Sequence, residues 1–299
     1  MSTPSLSYDE KWPRANSLFT NVIGPSDIAL VGVPASQTSL SPSSAHLTPA
    51  AIRSALARYS TFAGSSDTDL AALSMVDVGD IESPDFADGE RRVAEHLRGA
   101  LDRTKLLIAL GGDNSITYSV ARAIWADLSN IGIITFDAHH DLRDGESNGS
   151  PIWRLIQAGV PGRNIVQIGI ADFANSKAYS DRACENGVHI ISRAKLRQQS
   201  ITSAVAEALE IAGAGGREIY VDVDVDVCDR SVVPACPASA PGGISADELR
   251  QAVASVAADK RVRAIDFTEI DASLDTPDQR TVRLAALLIL EAAAAFARR

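Results

Sequence analysis

Along the chain, short and nearly continuous apolar runs alternate with longer stretches in which apolar positions recur every three or four residues. The runs fall at 28–33, 106–110, 131–136, 165–170, 188–191, 219–227 and 262–267. Continuity of this kind predicts parallel strands covered on both faces, because a half-exposed strand would alternate. Between the runs, 49–59, 89–102, 115–128, 203–212 and 246–258 are the helical candidates. Thr48 before Pro49, and Ser245 with Glu248 three residues on, are helix start signals. Strands alternating with helices across short loops predict an α/β fold: a three-layer, doubly wound, mostly parallel sheet. No repeat or long linker divides the 299 residues, so one domain spanning 1–299 is expected. The Ser-rich segment 35–48 is expected to form a loop over the ligand site.

Composition narrows the partners. The net charge is −10 with no run of Lys and Arg, which argues against a nucleic-acid surface. Cys184, Cys228 and Cys236 form no close pair and read as reduced thiols, so a cytoplasmic location is expected. Residues 1–20 lack the apolar core of a secretory signal. The Ala-rich stretch 282–297 is interrupted by Arg283 and Glu291, which predicts a packed terminal helix and no membrane span.

Unusual polar residues cluster at the strand ends, where open α/β sheets bind ligands. Gly111-Gly-Asp-Asn-Ser115 follows one run and Asp137-Ala-His-His-Asp141 another. Asp222, Asp224 and Asp226 lie within a third, followed by Asp229, and Glu269 and Asp271 follow the last. Asp113, Asp144 and Asp271 taken singly are ordinary helix caps. Three carboxylates at period two on a strand share a face, and burying them unpaired costs several kcal/mol each. A divalent cation neutralises them compactly; carboxylate and imidazole donors without thiolate suit Mn²⁺ or Fe²⁺, less typically Zn²⁺.

These blocks, in this order, resemble the ureohydrolase superfamily (arginase, agmatinase, formimidoylglutamase), whose signatures are GGDHS, DAHxD, SxDxDxxDP and a late glutamate. Asp77-Val-Gly-Asp-Ile81, Thr48–Arg53, Gln167–Ile170 and Pro241-Gly-Gly243 are similar to further segments of that family. The resemblance implies an arginase-like fold, a small-molecule substrate, a trimeric or hexameric homo-oligomer, and two Mn²⁺ per subunit with a bridging hydroxide. It implies that Asp137 and Asp224 bridge the ions, that His139 and Asp226 complete one site, and that Asp141 and Asn114 belong to the other. Glu269 would hold a cationic amidino or formimino group. Bound metal makes hydroxide available near neutral pH, and Asp226 or another carboxylate such as Asp141 can pass a proton to the departing nitrogen.

The chain also departs from the family pattern. Asn114 stands where a ligand histidine is usual, so a weaker first site is expected; Asn148 stands where agmatinases have histidine. Asp222 replaces a common serine and adds negative charge, while Arg230, in place of proline, is expected to neutralise Asp222 or Asp229. His140 is expected behind the ligands or on the substrate side. Asp137–Arg143 followed by Ser147–Pro151 resembles formimidoylglutamases (DAHFDLR, then an SGTP-like segment). Arg143, Asn148, Asp229 and Glu269 are the candidate substrate contacts. Arg143 either forks onto a substrate carboxylate or pairs with Asp144 or Glu146. The leading expectation is hydrolysis of N-formimino-glutamate. Alternatives are a guanidino substrate such as agmatine, met at its far end by Asp144 and Glu146; a one-metal deacetylase, which lacks its paired-histidine base here; and a binding protein without catalysis.

Overall fold

Each apolar run places alternate side chains on opposite sides of its strand, and both sides must then be covered. A computed structural model describes residues 8–22, 24–101 and 103–299; residues 1–7 of the N-terminal segment and Asp102, the expected end of the second helix, lie outside them. Along the chain the elements are β1 (Phe19–Thr20), β2 (Ser26–Val33), α1 (Thr48–Leu56), β3 (Phe62–Ala63), β4 (Thr68–Asp69), β5 (Met75–Asp80), α2 (Phe86–Leu101), β6 (Thr104–Gly111), α3 (Ile116–Ile124), β7 (Ile131–Phe136) and α4 (Pro151–Gln157). They continue with β8 (Ile165–Ile168), α5 (Lys177–Glu185), β9 (His189–Ile191), α6 (Arg193–Leu196), α7 (Ile201–Ala212), β10 (Glu218–Asp224), α8 (Ala246–Ala257), β11 (Val262–Thr268) and α9 (Arg280–Phe296).

Among the described residues, nine strands form one sheet in the order β1-β5-β2-β6-β11-β10-β7-β8-β9, and every pairing in it is parallel. In β2, Ile28 and Leu30 join a core with α1, α7, α8 and α9, whereas Ala29, Val31 and Val33 join a second core with α2, α3, α4 and α5. The result is the expected three-layer α/β sandwich. The Ala-rich terminal helix is packed into the first core, and no helix among the described residues is long and apolar enough to cross a membrane.

Three details differ from the expected elements. The run 219–227 is not one strand: β10 ends at Asp224, and Val225–Val227 form a 3-10 turn capped by the Asp224 side chain. The strand β5 was legible only as a polar motif, because its Met-Val-Asp-Val-Gly-Asp sequence breaks the apolar pattern. Helices α4 and α5 are short, with few fully buried residues, and gave no periodic signal.

Strands β6 and β7, consecutive among the strands, are separated in the sheet by the late strands β11 and β10. The carboxyl ends of these four central strands therefore face one crevice, fed by four different loops.

Candidate metal centre

At the end of β7, Asp137 is fully buried, and its backbone N–H is held by the Ile168 carbonyl at 3.0 Å. Beside it, the Asp224 carboxylate caps the 3-10 turn by accepting the Asp226 N–H at 2.8 Å, which swings Asp226 back toward β7. Asp226 Oδ1 then accepts the Ala138 N–H at 2.9 Å, and Asp226 Oδ2 lies 2.7 Å from His139 Nδ1. His139 Nδ1 is also 3.5 Å from Asp137 Oδ1. Asp137, His139 and Asp226 thus bring three ligand atoms within 4.8 Å of one another. Buried Arg193 locks the turn from behind by donating to the Asp226 carbonyl at 2.8 Å.

Opposing electrostatic effects meet here. Burial alone would depress the His139 imidazolium, but the Asp226 contact and the charges of Asp226, Asp141 and Glu269 outweigh it and raise His139 to about 9. Burial, with neighbouring carboxylates, pushes Asp137 and Asp224 well above the ordinary carboxylate range. Burial outweighs the His139 charge and the Asn114 donor to leave Asp141 raised to about 6. Protonated groups crowded this way mark a site built for a cation. The donor set fits Mn²⁺: Asp137 Oδ2 is buried with no hydrogen-bond partner, the donors are oxygen and imidazole, and burial pushes the Cys228 and Cys236 thiols up, away from thiolate.

Asn114 does not present its oxygen to the centre. Its Nδ2 donates to Asp141 Oδ2 at 2.5 Å, while its Oδ1 accepts Thr268 Oγ1 at 2.8 Å. Thr268 on the oxygen and Asp141 on the nitrogen hold the amide in the orientation opposite to that of a ligand. Asp141 and Glu269 both adopt left-handed backbone conformations (φ 52° and 64°), which cost energy in non-glycine residues and recur at functional sites. Glu269 is tied in by its own N–H to the Gly112 carbonyl, and Gly112 has to be glycine, since a Cβ there would meet the Ala35 carbonyl oxygen at 1.8 Å.

Above these groups lies a cavity of about 380 Å³, lined by His139, Asp141, Asp224, Asp226 and Glu269 on one side and by Arg143, Asn148, Tyr179 and the 39–43 loop on the other. Glu269 Oε1 accepts the Asn114 N–H at 2.8 Å and Asn148 Nδ2 at 2.9 Å; burial, with repulsion from Asp113, still raises its carboxyl to about 8. The Ser-rich loop is pinned: Ser36 and Gln37 N–H groups to Asp85, Ser39 Oγ to Asp113, Leu40 N–H to Asn148, and Ser44 N–H to Asp271.

Other expected roles change. Asp229 does not line the cavity: its oxygens accept the Ser231 and Gly242 N–H groups, so its carboxylate serves the turn and not a substrate. Arg230 neutralises neither Asp222 nor Asp229; its Nη1 donates to the carbonyls of Cys236, Pro237 and Ser239. Asp144 is held by Arg182 at 2.8 Å and Glu146 lies 3.6 Å from Arg154, which leaves the Arg143 guanidinium without an acidic partner among the described residues. His140 reaches the cavity wall, on the substrate side, with its Nδ1 2.7 Å from Gln167 Oε1, and burial lowers it toward the neutral form. Asp266 escaped the sequence reading, although one acid inside the apolar run 262–267 was a usable signal. It is fully buried and accepts Tyr220 Oη at 2.6 Å and Thr117 Oγ1 at 2.8 Å.

The arginase family model matches residues 26–295. A formimidoylglutamase of Halalkalibacterium halodurans is 36% identical over 270 residues, covering 87% of this chain and 84% of its own. The crystal structure of formimidoylglutamase from Bacillus subtilis aligns with a TM-score of 0.92 at 32% identity, covering 99% of this chain and 95% of that one. The structure of Trypanosoma cruzi formiminoglutamase with Mn²⁺, at 23% identity, shares the fold with a TM-score of 0.87 and covers 96% of this chain and 99% of its own.

Proposed function

The chain belongs to the arginase family, and we propose that it hydrolyses the carbon–nitrogen bond of N-formimino-glutamate. The observation that carries this reading is the pairing of a carboxylate with an unpaired cation in one cavity. Glu269, positioned by Asn114 and Asn148, can accept hydrogen bonds from a cationic formimino group, and the free Arg143 guanidinium can fork onto a carboxylate at the other end of the substrate. Asp144 and Glu146, the groups that would attract the free amine of agmatine, are each taken by an arginine. Nothing here favours the guanidino reading.

Asp137, His139, Asp224, Asp226 and Asp141 are the residues that would hold two Mn²⁺ ions. Manganese bound there supplies hydroxide near neutral pH and stabilises negative charge on the reacting carbon's oxygen. Asp226 and Asp141, both at the cavity wall, are placed to move a proton to the departing α-nitrogen, giving glutamate and formamide. The three free cysteines accord with a reducing compartment, and the cytoplasm is the proposed location.

Protein reconstituted with excess Mn²⁺ and assayed against formiminoglutamate, agmatine and arginine tests the proposal. Formamide from formiminoglutamate supports it. Urea from a guanidino compound would overturn it, and so would metal-replete protein with no turnover.

A further inference from the structure

One side chain at the floor of the site has no role in the scheme above. Asp222 lies on β10 one pleat below Asp224, in register with Thr135 of β7 on one side and Asp266 of β11 on the other. It is fully buried, and no donor is aimed at either carboxylate oxygen, although the Asp266 carboxyl and the Thr117 hydroxyl lie close beside it. Its neighbour Asp266 is the opposite case, with two hydroxyl donors on one oxygen and the Val223 N–H on the other at 3.2 Å. Thr135 Oγ1, beside Asp222, is likewise buried without a partner. Asp222 stands close enough to Asp137 and Asp141 for each pair to repel electrostatically. A buried carboxylate with no donor aimed at it, beside Asp266, Asp137 and Asp141, is costly in its ionised form unless a cation meets it.

The first ion site has the complementary defect. Asn114, at the position of its missing histidine, turns its amide N–H₂ to Asp141 and gives its oxygen to Thr268. One ligand of that site is therefore withheld, and one buried carboxylate lies beneath it. The geometry points to Asp222 as the ligand that replaces the missing imidazole in the first Mn²⁺ site. A hard carboxylate oxygen is an appropriate Mn²⁺ donor, and the substitution exchanges a neutral ligand for a charged one. The site served by Asp141 is then complete, with an all-oxygen ligand set. This inference rests on the two-metal reading of the cavity.

The test is Mn²⁺ stoichiometry and affinity by elemental analysis and isothermal titration, with the exchange-coupled electron spin resonance signal of a manganese pair as a second readout. The variants are Asp222→Ser, the residue common in the family blocks, and Asp222→Asn, which preserves volume. Wild-type protein is expected to take up two Mn²⁺ per chain with a coupled spectrum. Both variants are expected to weaken the first ion about tenfold or more, leaving one ion on the His139 side and an uncoupled signal. Asn114→His in the Asp222→Asn background is expected to restore the second ion. Variants that keep two ions at wild-type affinity would overturn the assignment while leaving the two-metal reading intact. Wild-type protein that binds no Mn²⁺ would overturn that reading itself and this inference with it.

Discussion

Asn148 donates its Nδ2 to Glu269 Oε1 at 2.9 Å while its own Oδ1 accepts the Leu40 N–H at 3.0 Å. One amide therefore couples the substrate-facing glutamate to the Ser-rich loop that walls the cavity. Histidine at this place would have one donor and one acceptor on a rigid ring, but not the spacing of an amide. Replacing it, Asn148→Ala, removes a hydrogen bond to a charged group, worth roughly 1.5–3 kcal/mol. We expect kcat/KM for formiminoglutamate to fall about 10- to 100-fold with little change in Mn²⁺ content, measured by steady-state kinetics and metal analysis. An unchanged kcat/KM would mean that Glu269 is positioned without Asn148.

Arg143 gives a prediction with a built-in control. A Cβ on Gly149 would lie 2.8 Å from Arg143 Cδ and 3.1 Å from Leu40 Cδ1. The arginine side chain is exposed and can shift, so Gly149→Ala should fold while displacing the guanidinium. Arg143→Gln is expected to raise KM about tenfold or more with kcat little altered, the mark of lost uniform binding. Gly149→Ala should raise KM in the same direction but add nothing in the Arg143→Gln background. Equal effects in both backgrounds would place the role of Gly149 elsewhere.

Metal uptake should depend on pH in a defined direction. Without metal, His139 titrates at about 9, above its ordinary 6.5, so it carries a proton across neutral pH. Its ion pair with Asp226 stabilises the metal-free protein below about 6.5, and that contribution is lost as pH rises through 9. A metal needs the neutral imidazole and must expel that proton. Apparent Mn²⁺ affinity should therefore rise with pH up to about 9, by roughly tenfold per pH unit for each proton released. Titrations in buffers of different ionisation heat would count those protons. An affinity flat from pH 7 to 9 would show that His139 holds no proton for the metal to expel over that range.

Asp229 should matter to the fold and not to substrate. Hydrogen bonds from Ser231 and Gly242 lower its carboxyl to about 2. A depressed folded-state value stabilises the protein above the ordinary carboxylate range and is lost as pH falls through about 4 toward 2. Asp229→Ala should reduce stability by about 1 kcal/mol, chiefly above pH 4, with KM and metal content unchanged. A large rise in KM would return Asp229 to the substrate site.

Much of this protein was legible in one dimension. Continuous apolar runs determined parallel strands covered on both faces, because only a buried strand tolerates apolar residues at both parities; the placement of acids at the ends of those runs determined a cation site at the carboxyl rim. Asp222 and Asp224 share a strand face at period two, whereas Asp226 lies beyond the end of β10. Asp226 reaches His139 only because the chain leaves the strand at Asp224 and closes a 3-10 turn, a choice made by the Asp224 side chain and by Arg193 arriving from α6. The tertiary structure likewise decided which charges were free. Arg143 is available because Arg182 and Arg154, from other helices, reach Asp144 and Glu146, and the Asn114 amide faces Asp141 because Thr268 holds its oxygen. Local sequence sets which side of a strand a residue occupies, whereas hydrogen-bond partners come from residues distant in the chain, so pairing was settled only when the four central strands met.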